Sequence, residues 1–345
     1  MMQTIVFEGQ DRIVLQEKPV PSLSDGDVLI KVDLCGICAS DIAAINGEVT
    51  DYSPPVVLGH EIAGVIVESR HPEVQVDQKV TVNPLFSCGA CDYCRVDLDK
   101  YCSQIEGIGH DLDGGYADFL KFPKYGVDTG KLITVPDSVS PENLMFLEPL
   151  GCCINAMRET ILSESVAILG AGQIGLMFAQ LATLHGLEVF LLEPDVHRRD
   201  FANSLGLDRV FDITDNEIKE LIGITSGGVD TVISATTNNQ KAIDLAFQIV
   251  RHGGCINFFG LSAHDQNLTI NLEKLHFFGH KLMASWAFSR WSLSQAQQMI
   301  VNQEIQLEPM LTTRFPISSG IEAISHVRHG RGLKTALVGG FAAEN

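Results

Sequence analysis

Positive charge is what this 345-residue chain has least of: 24 Lys and Arg stand against 43 Asp and Glu, a formal net charge of −19. A surface so poor in cations argues against nucleic acid or an anionic membrane as a general partner. Apolar runs long enough to cross a bilayer are missing. The opening M-M-Q-T-I-V-F-E-G-Q has neither the basic flank nor the apolar core of a signal peptide, so a cytoplasmic location is the expectation. Internal repeats, low-complexity tracts and long charge runs are also lacking. The nine cysteines are an odd number, spaced like metal ligands rather than like a disulfide framework. With 45% hydrophobic and 19% charged residues, the composition is that of a globular protein long enough for two domains.

The organising stretch is Ser165 to Leu184, S-V-A-I-L-G-A-G-Q-I-G-L-M-F-A-Q-L-A-T-L. Aliphatic residues lead into a turn carrying Gly170, Gly172 and Gly175, and apolar residues follow at 174, 177, 178, 181 and 184. This reads as strand, tight turn and amphipathic helix. The glycines make the turn, let backbone approach a pyrophosphate, and let helix pack on strand, so Gly170, Gly172, Gln173, Ile174 and Gly175 are the expected phosphate cradle. A second strand, Glu188 to Glu193, ends in an acid eighteen residues beyond Gly175, placed to accept bonds from both adenosine ribose hydroxyls. That acid repels a ribose 2′-phosphate and favours NAD. Arg198 and Arg199 pull the other way: one can stack on adenine, and two can accept the extra phosphate.

Strands alternate with helices from Glu164 to Ser285, with strands expected at 166–169, 188–193, 209–211, 229–235, 254–260 and 281–285 and a helix over 239–251. The pattern predicts an α/β doubly wound parallel sheet with ligands at the strands' carboxyl ends. Before it, from Gln3 to about Val82, the chain reads as short strands broken by turns. Val28, Ile30, Val32 and Leu34 alternate with Leu29, Lys31 and Asp33. After Ser285 one helix, 292–302, short strands and a glycine-rich tail read as a return to the first domain. The expected organisation is therefore 1–152 mostly β, 153–285 dinucleotide-binding, and 286–345 completing the first.

Two short motifs in the β-rich half have metal chemistry. In C-G-I-C-A-S-D, Cys35 to Asp41, and G-H-E, Gly59 to Glu61, thiolate and imidazole suit zinc, and a catalytic zinc keeps one position open. Each alone is equally compatible with a small buried cysteine or a histidine bonded in a turn. Further on, Cys88, Cys91 and Cys94 recur at steps of three and Cys102 follows eight residues later. Four thiolates so spaced can close a tetrahedron around one ion, a structural zinc site.

G-I-C-A-S-D followed by L-G-H-E resembles the zinc-dependent medium-chain dehydrogenases, the superfamily of alcohol, sorbitol and threonine dehydrogenases, and the likeness covers almost the whole chain. The resemblance implies a GroES-like catalytic domain beside the Rossmann sheet, a cleft between them, and dimers or tetramers. It makes Cys38, rather than Cys35, and His60 ligands of a catalytic zinc, with Glu61 a ligand or close neighbour. Asp41 orients a ligand histidine through its other ring nitrogen, and Ser40 relays the substrate proton. In the sorbitol dehydrogenase branch the E-P-L at Glu148 supplies a carboxylate to the zinc, directly or through water, where other members use cysteine. Cys152 and Cys153 then pack at the start of a helix.

The implied reaction is reversible oxidation of a secondary alcohol by NAD or NADP, with two zinc ions per chain. Ala43 replaces the histidine that ends the family's proton relay, and Ala44 replaces a tyrosine of sorbitol dehydrogenases. A-S-W-A-F at Trp286 resembles the galactitol-phosphate branch more than the sorbitol one. A polyol or sugar alcohol, free or phosphorylated, is the expected substrate, ahead of threonine or a simple secondary alcohol. A non-catalytic nucleotide-binding protein with one structural zinc is the alternative of another class. His110 carries no assigned role at this level.

Overall fold

The computed structural model describes residues 1–237, 239–260, 267 and 269–340. The chain forms two compact units, Met1–Gly151 with Ser289–Asn345, and Cys152–Phe288.

In the first unit a sheet runs in the order Leu132–Val135, Lys79–Val82, Glu61–Ser69, Val28–Gly36, Lys334–Val338, Leu311–Pro316, and Phe119–Phe122 also pairs with Val28–Gly36. Val28, Ile30 and Val32 point into one core with Ile62, Ile66, Val80, Tyr116 and Phe122. The alternation then changes phase. Val32 pairs with Gly64 and Leu34 with Ala63, so the register shifts by one residue at Asp33. Such a bulge sends the following side chains to the opposite face. Leu34 consequently leaves the expected set, and Cys35 joins the core in its place, fully buried.

The second unit holds a parallel sheet in the order Val210–Phe211, Glu188–Leu192, Ser165–Leu169, Val229–Ser234, Val250–Phe258, Lys281–Ala284. All five residues of Ser165–Leu169 are buried, as expected of a central parallel strand covered on both faces. The helix Gln173–Leu184 buries every residue from Gly175 to Ala182, whereas Leu184 is exposed at its end. Ser165 ties the strand starts together. Its N–H and Oγ–H donate to Asp230 Oδ2 at 2.9 and 2.7 Å, and its Oγ accepts from the Asp230 N–H.

Four elements differ from expectation. The helix expected to reach Arg251 ends at Ile249, because Val250 is already extended and pairs with Val229; Gly253, at φ +76°, then turns the chain inside the strand. The helix carrying Cys152 and Cys153 starts at Leu147, so both lie inside it and Glu148 stands in its first turn. Pro149 in that same turn lacks only an N–H that no helical carbonyl would accept. The later helix, Arg290–Val301, begins two residues early because Ser289 caps it by accepting from the Ser292 N–H. A short helix, Gly320–Arg328, occupies part of what read as strand and tail. Among the described residues, no helix is long and apolar enough to cross a membrane.

Candidate active site and metal centres

Cys38 is the N-cap of the helix Ala39–Asn46, held with φ −91° and ψ 153°. Asp41, in the helix's first turn and fully buried, accepts the Cys38 N–H on Oδ2 at 3.1 Å. The dipole favours an acid there. Tyr116, also fully buried, donates its hydroxyl to the same oxygen at 2.6 Å. The other carboxylate oxygen, Oδ1, lies 3.6 Å from His60 Nδ1. Asp41 thus holds the cysteine's backbone and places its charge beside the histidine's ring, where a carboxylate stands behind a metal-bound imidazole.

His60 and Glu61 follow Gly59, whose φ of +94° and contact with the Tyr116 ring and Cys35 Sγ leave no room for a side chain. Burial opposes charge on the His60 ring, but Asp41 and Cys38 more than offset it, and the ring's proton affinity stands well above that of ordinary histidine. Glu61 is buried and paired with Lys334, whose Nζ also donates to the Ile37 carbonyl at 3.0 Å. A Cβ on Gly36 would collide with both partners of that pair, so the glycine of C-G-I-C makes space for it.

Cys38, His60 and Glu61 offer ligand atoms that all lie within 4.8 Å of one another. One thiol, one imidazole with raised proton affinity and one carboxylate match the donor set of a catalytic zinc with an open position. A cation there would displace the proton the ring now favours, as ligand binding to a metal generally does. Glu148 is not in this group of three, although its charge helps raise the His60 proton affinity. Ser40 is half-buried, while Ala43, Ala44 and Tyr52 are buried. Burial drives the Cys35 thiol's pKa well up, which suits a core residue and not a ligand.

The second cluster is Cys88, Cys91, Cys94 and Cys102, again within 4.8 Å of one another and none in a disulfide. Sulfur separations of 3.4 Å (Cys91 to Cys94) and 3.9 Å (Cys88 to Cys94) bracket the roughly 3.8 Å edge of a zinc–thiolate tetrahedron. The backbone supports thiolate charge: N–H groups of Cys91, Cys88 and Gln104 donate to the sulfurs of Cys88, Cys102 and Cys102, each at 3.4 Å. Bonds from Ala90 and Cys91 bring Cys88 down to about 6. Arg290 anchors the lobe by donating to the Cys94 carbonyl at 3.0 Å and through its N–H to Asp97.

In the second unit each fingerprint glycine has a distinct reason. Gly170 has φ +98°, a Cβ on Gly172 would meet nothing within 4 Å, and a Cβ on Gly175 would strike the Gly170 carbonyl oxygen. Turn, open backbone and close helix packing are the three requirements of a dinucleotide site. Gln173 and Ile174 begin the helix, offering N–H groups at its positive end. Glu193 is buried and accepts from the Ala171 N–H at 2.7 Å and the Asp195 N–H at 3.0 Å, so it is fixed beside the glycine turn. Arg198 donates its backbone N–H to the capping Asp195. Arg199 is engaged elsewhere, with the Glu193 and Pro194 carbonyls, both at 2.7 Å, and Asp212 at 3.2 Å.

Residue-level reading missed Tyr116, Lys334 and Arg290. Tyr116 stands in D-G-G-Y-A-D-F, Asp113 to Phe119, which by itself reads only as a turn into a strand, and neither cation carries a local signal.

A metal-ligand cluster in one unit and a dinucleotide turn in the other define a metal-assisted, nicotinamide-dependent oxidoreductase. Residues 24–134 match the family described as the alcohol dehydrogenase GroES-like domain, and residues 174–302 that described as zinc-binding dehydrogenase. A D-arabitol-phosphate dehydrogenase of Enterococcus avium is 30% identical over 339 residues, 95% of this chain and 94% of that protein. A sorbitol dehydrogenase of Halalkalibacterium halodurans is 29% identical over 341 residues, 95% of this chain and 96% of its own. A Sinorhizobium meliloti protein solved with NADP bound matches with a TM-score of 0.89 at 26% identity, covering 98% of this chain and 99% of that one. The chain belongs to the zinc-dependent medium-chain dehydrogenase superfamily.

Proposed function

We propose that the protein oxidises a secondary hydroxyl of a polyol or sugar alcohol to a ketone, reversibly, with NAD as the hydride acceptor. The observation that carries this reading is the convergence of Cys38, His60 and Glu61, oriented by Asp41. The substrate class is supported by the relatives, which include enzymes named for arabitol phosphate and for sorbitol. NAD is supported by the buried Glu193, whose carboxylate repels a 2′-phosphate, and by the engagement of Arg199 with the Glu193 and Pro194 carbonyls and Asp212.

Cys38 and His60 would hold zinc, with Glu61 or Glu148 completing the set. Bound there, the ion supplies Lewis-acid stabilisation of the substrate oxygen. The chain's own work is to place and discharge that hydroxyl. Ser40 relays its proton, taking it on Oγ as the serine's own hydroxyl proton passes to solvent. Asp41 puts its negative charge beside His60 Nδ1 and so favours the ring orientation that presents the other nitrogen to the ion. The Cys88, Cys91, Cys94 and Cys102 lobe would hold a second zinc with no open position, a structural role.

The test is a panel of polyols, sugar phosphates, threonine and simple secondary alcohols with NAD and NADP, followed by absorbance of the reduced cofactor. Preference for polyols or their phosphates with NAD supports the reading. Preference for threonine or a monohydric alcohol overturns the substrate class.

A further inference from the structure

His110 has no part in the chemistry described so far, yet it is held at the edge of the site with unusual care. Its ring stacks on Tyr52, with centroids 4.1 Å apart and planes 18° apart, and its centroid lies 5.7 Å from that of His60. Gly107 closes in from another direction: a Cβ there would stand 3.0 Å from His110 Cβ. The carrying loop is braced by Asp111, whose carboxylate accepts from Ser53 Oγ and from the Gly107 N–H, both at 2.9 Å. The His110 N–H and carbonyl are used as well, on the Gly107 carbonyl at 3.1 Å and the Ser53 N–H at 3.0 Å. Backbone, ring face and loop are therefore set before any ligand arrives, which is how a binding group is given a defined direction.

A neutral imidazole carries its one proton on one of its two ring nitrogens. The second nitrogen is then an acceptor. Tyr52 is buried, whereas His110 is only half-buried, so its ring is not sealed into the core. An acceptor fixed one ring away from His60 suits a hydroxyl one or two carbons along from the reacting one. A purely apolar substrate would gain nothing from it.

We propose that His110 is a specificity-determining residue that accepts a hydrogen bond from a second hydroxyl of the substrate, selecting polyols over monohydric alcohols. The assignment rests on the polyol reading above.

Two probes differing by one hydroxyl separate the possibilities: butane-2,3-diol and butan-2-ol, with sorbitol as a longer polyol. His110→Phe keeps an aromatic ring against Tyr52 and removes the acceptor. It should lower kcat/KM for the diol and sorbitol roughly 3- to 10-fold, the worth of one hydrogen bond, mainly through KM. The value for butan-2-ol should stay unchanged. His110→Asn, which keeps an acceptor oxygen, should recover part of the loss and serves as the variant of record if the phenylalanine does not fold. Zinc content and melting temperature should match the parent, and calorimetry should show weakened sorbitol binding to the variant. Equal losses on diol and mono-alcohol, or none on either, overturn the inference while leaving the polyol reading intact. A parent enzyme that favours butan-2-ol over both polyols overturns the reading and the inference together.

Discussion

Lys334 and Glu61 form an ion pair buried on both sides, each side chain 1% exposed, between residues 273 positions apart in the sequence. Glu61 directly follows His60, so the pair fixes the strand end from which the imidazole projects. Removing one partner strands a buried charge at a cost of about 3–5 kcal/mol. Lys334→Met should therefore lower unfolding free energy by about that amount in urea titrations. Glu61→Gln with Lys334→Met should recover a good part of it, since no lone charge then remains.

The Asp41 carboxylate serves Cys38, Tyr116 and His60 at once. Asp41→Asn keeps the shape and removes the charge behind the imidazole. Zinc affinity at the Cys38–His60 site should fall roughly 10- to 100-fold, the usual effect of losing such a partner. Metal analysis after dialysis against a graded chelator would show it, with the four-cysteine site retaining its ion as an internal standard.

The glycines of the nucleotide turn should separate binding from folding. Gly172→Ala meets open space, so melting should hardly change while NAD affinity drops sharply, the methyl group standing where the pyrophosphate must approach. Gly175→Ala drives a methyl group into the Gly170 carbonyl oxygen, so it should destabilise the unit itself. Thermal unfolding beside NAD titration by fluorescence distinguishes the two. Equal melting temperatures for both variants would contradict the packing argument.

Acid stability should depend on His280. Burial, reinforced by His252, lowers its pKa against an opposing pull from the Arg251 backbone, and among the described residues neither ring nitrogen is within hydrogen-bond geometry of a partner. The folded protein thus favours the neutral ring, whereas the unfolded chain binds a proton below about pH 6.5. The unfolded state then binds more protons, so stability is full above that pH and is lost as pH falls below it. Replacing His280 by Phe should flatten the urea midpoint between roughly pH 6.5 and pH 5. A midpoint that falls as steeply in the variant would place the acid sensitivity elsewhere.

Much of the candidate site is visible in the chain because its ligands are local. Gly170, Gly172 and Gly175 lie within six residues, and Cys88, Cys91 and Cys94 within seven; short spacings dictate short distances whatever the rest of the chain does. The parallel sheet is legible for a similar reason, since continuous apolar runs between helices leave few other arrangements.

What the residues could not show by themselves depends on long-range packing. A bulge at Asp33 arises only when two strands pair, and it is what turns Cys35 inward. Tyr116, Lys334 and Arg290 act through partners far away along the chain. Their signs and donors are plain, but their addresses are not. The sequence alone determined which chemistry is present: thiolates, an imidazole, carboxylates and a phosphate turn. Only the tertiary structure decided which of them meet, because burial removes water as a partner and obliges each polar group to find another within reach.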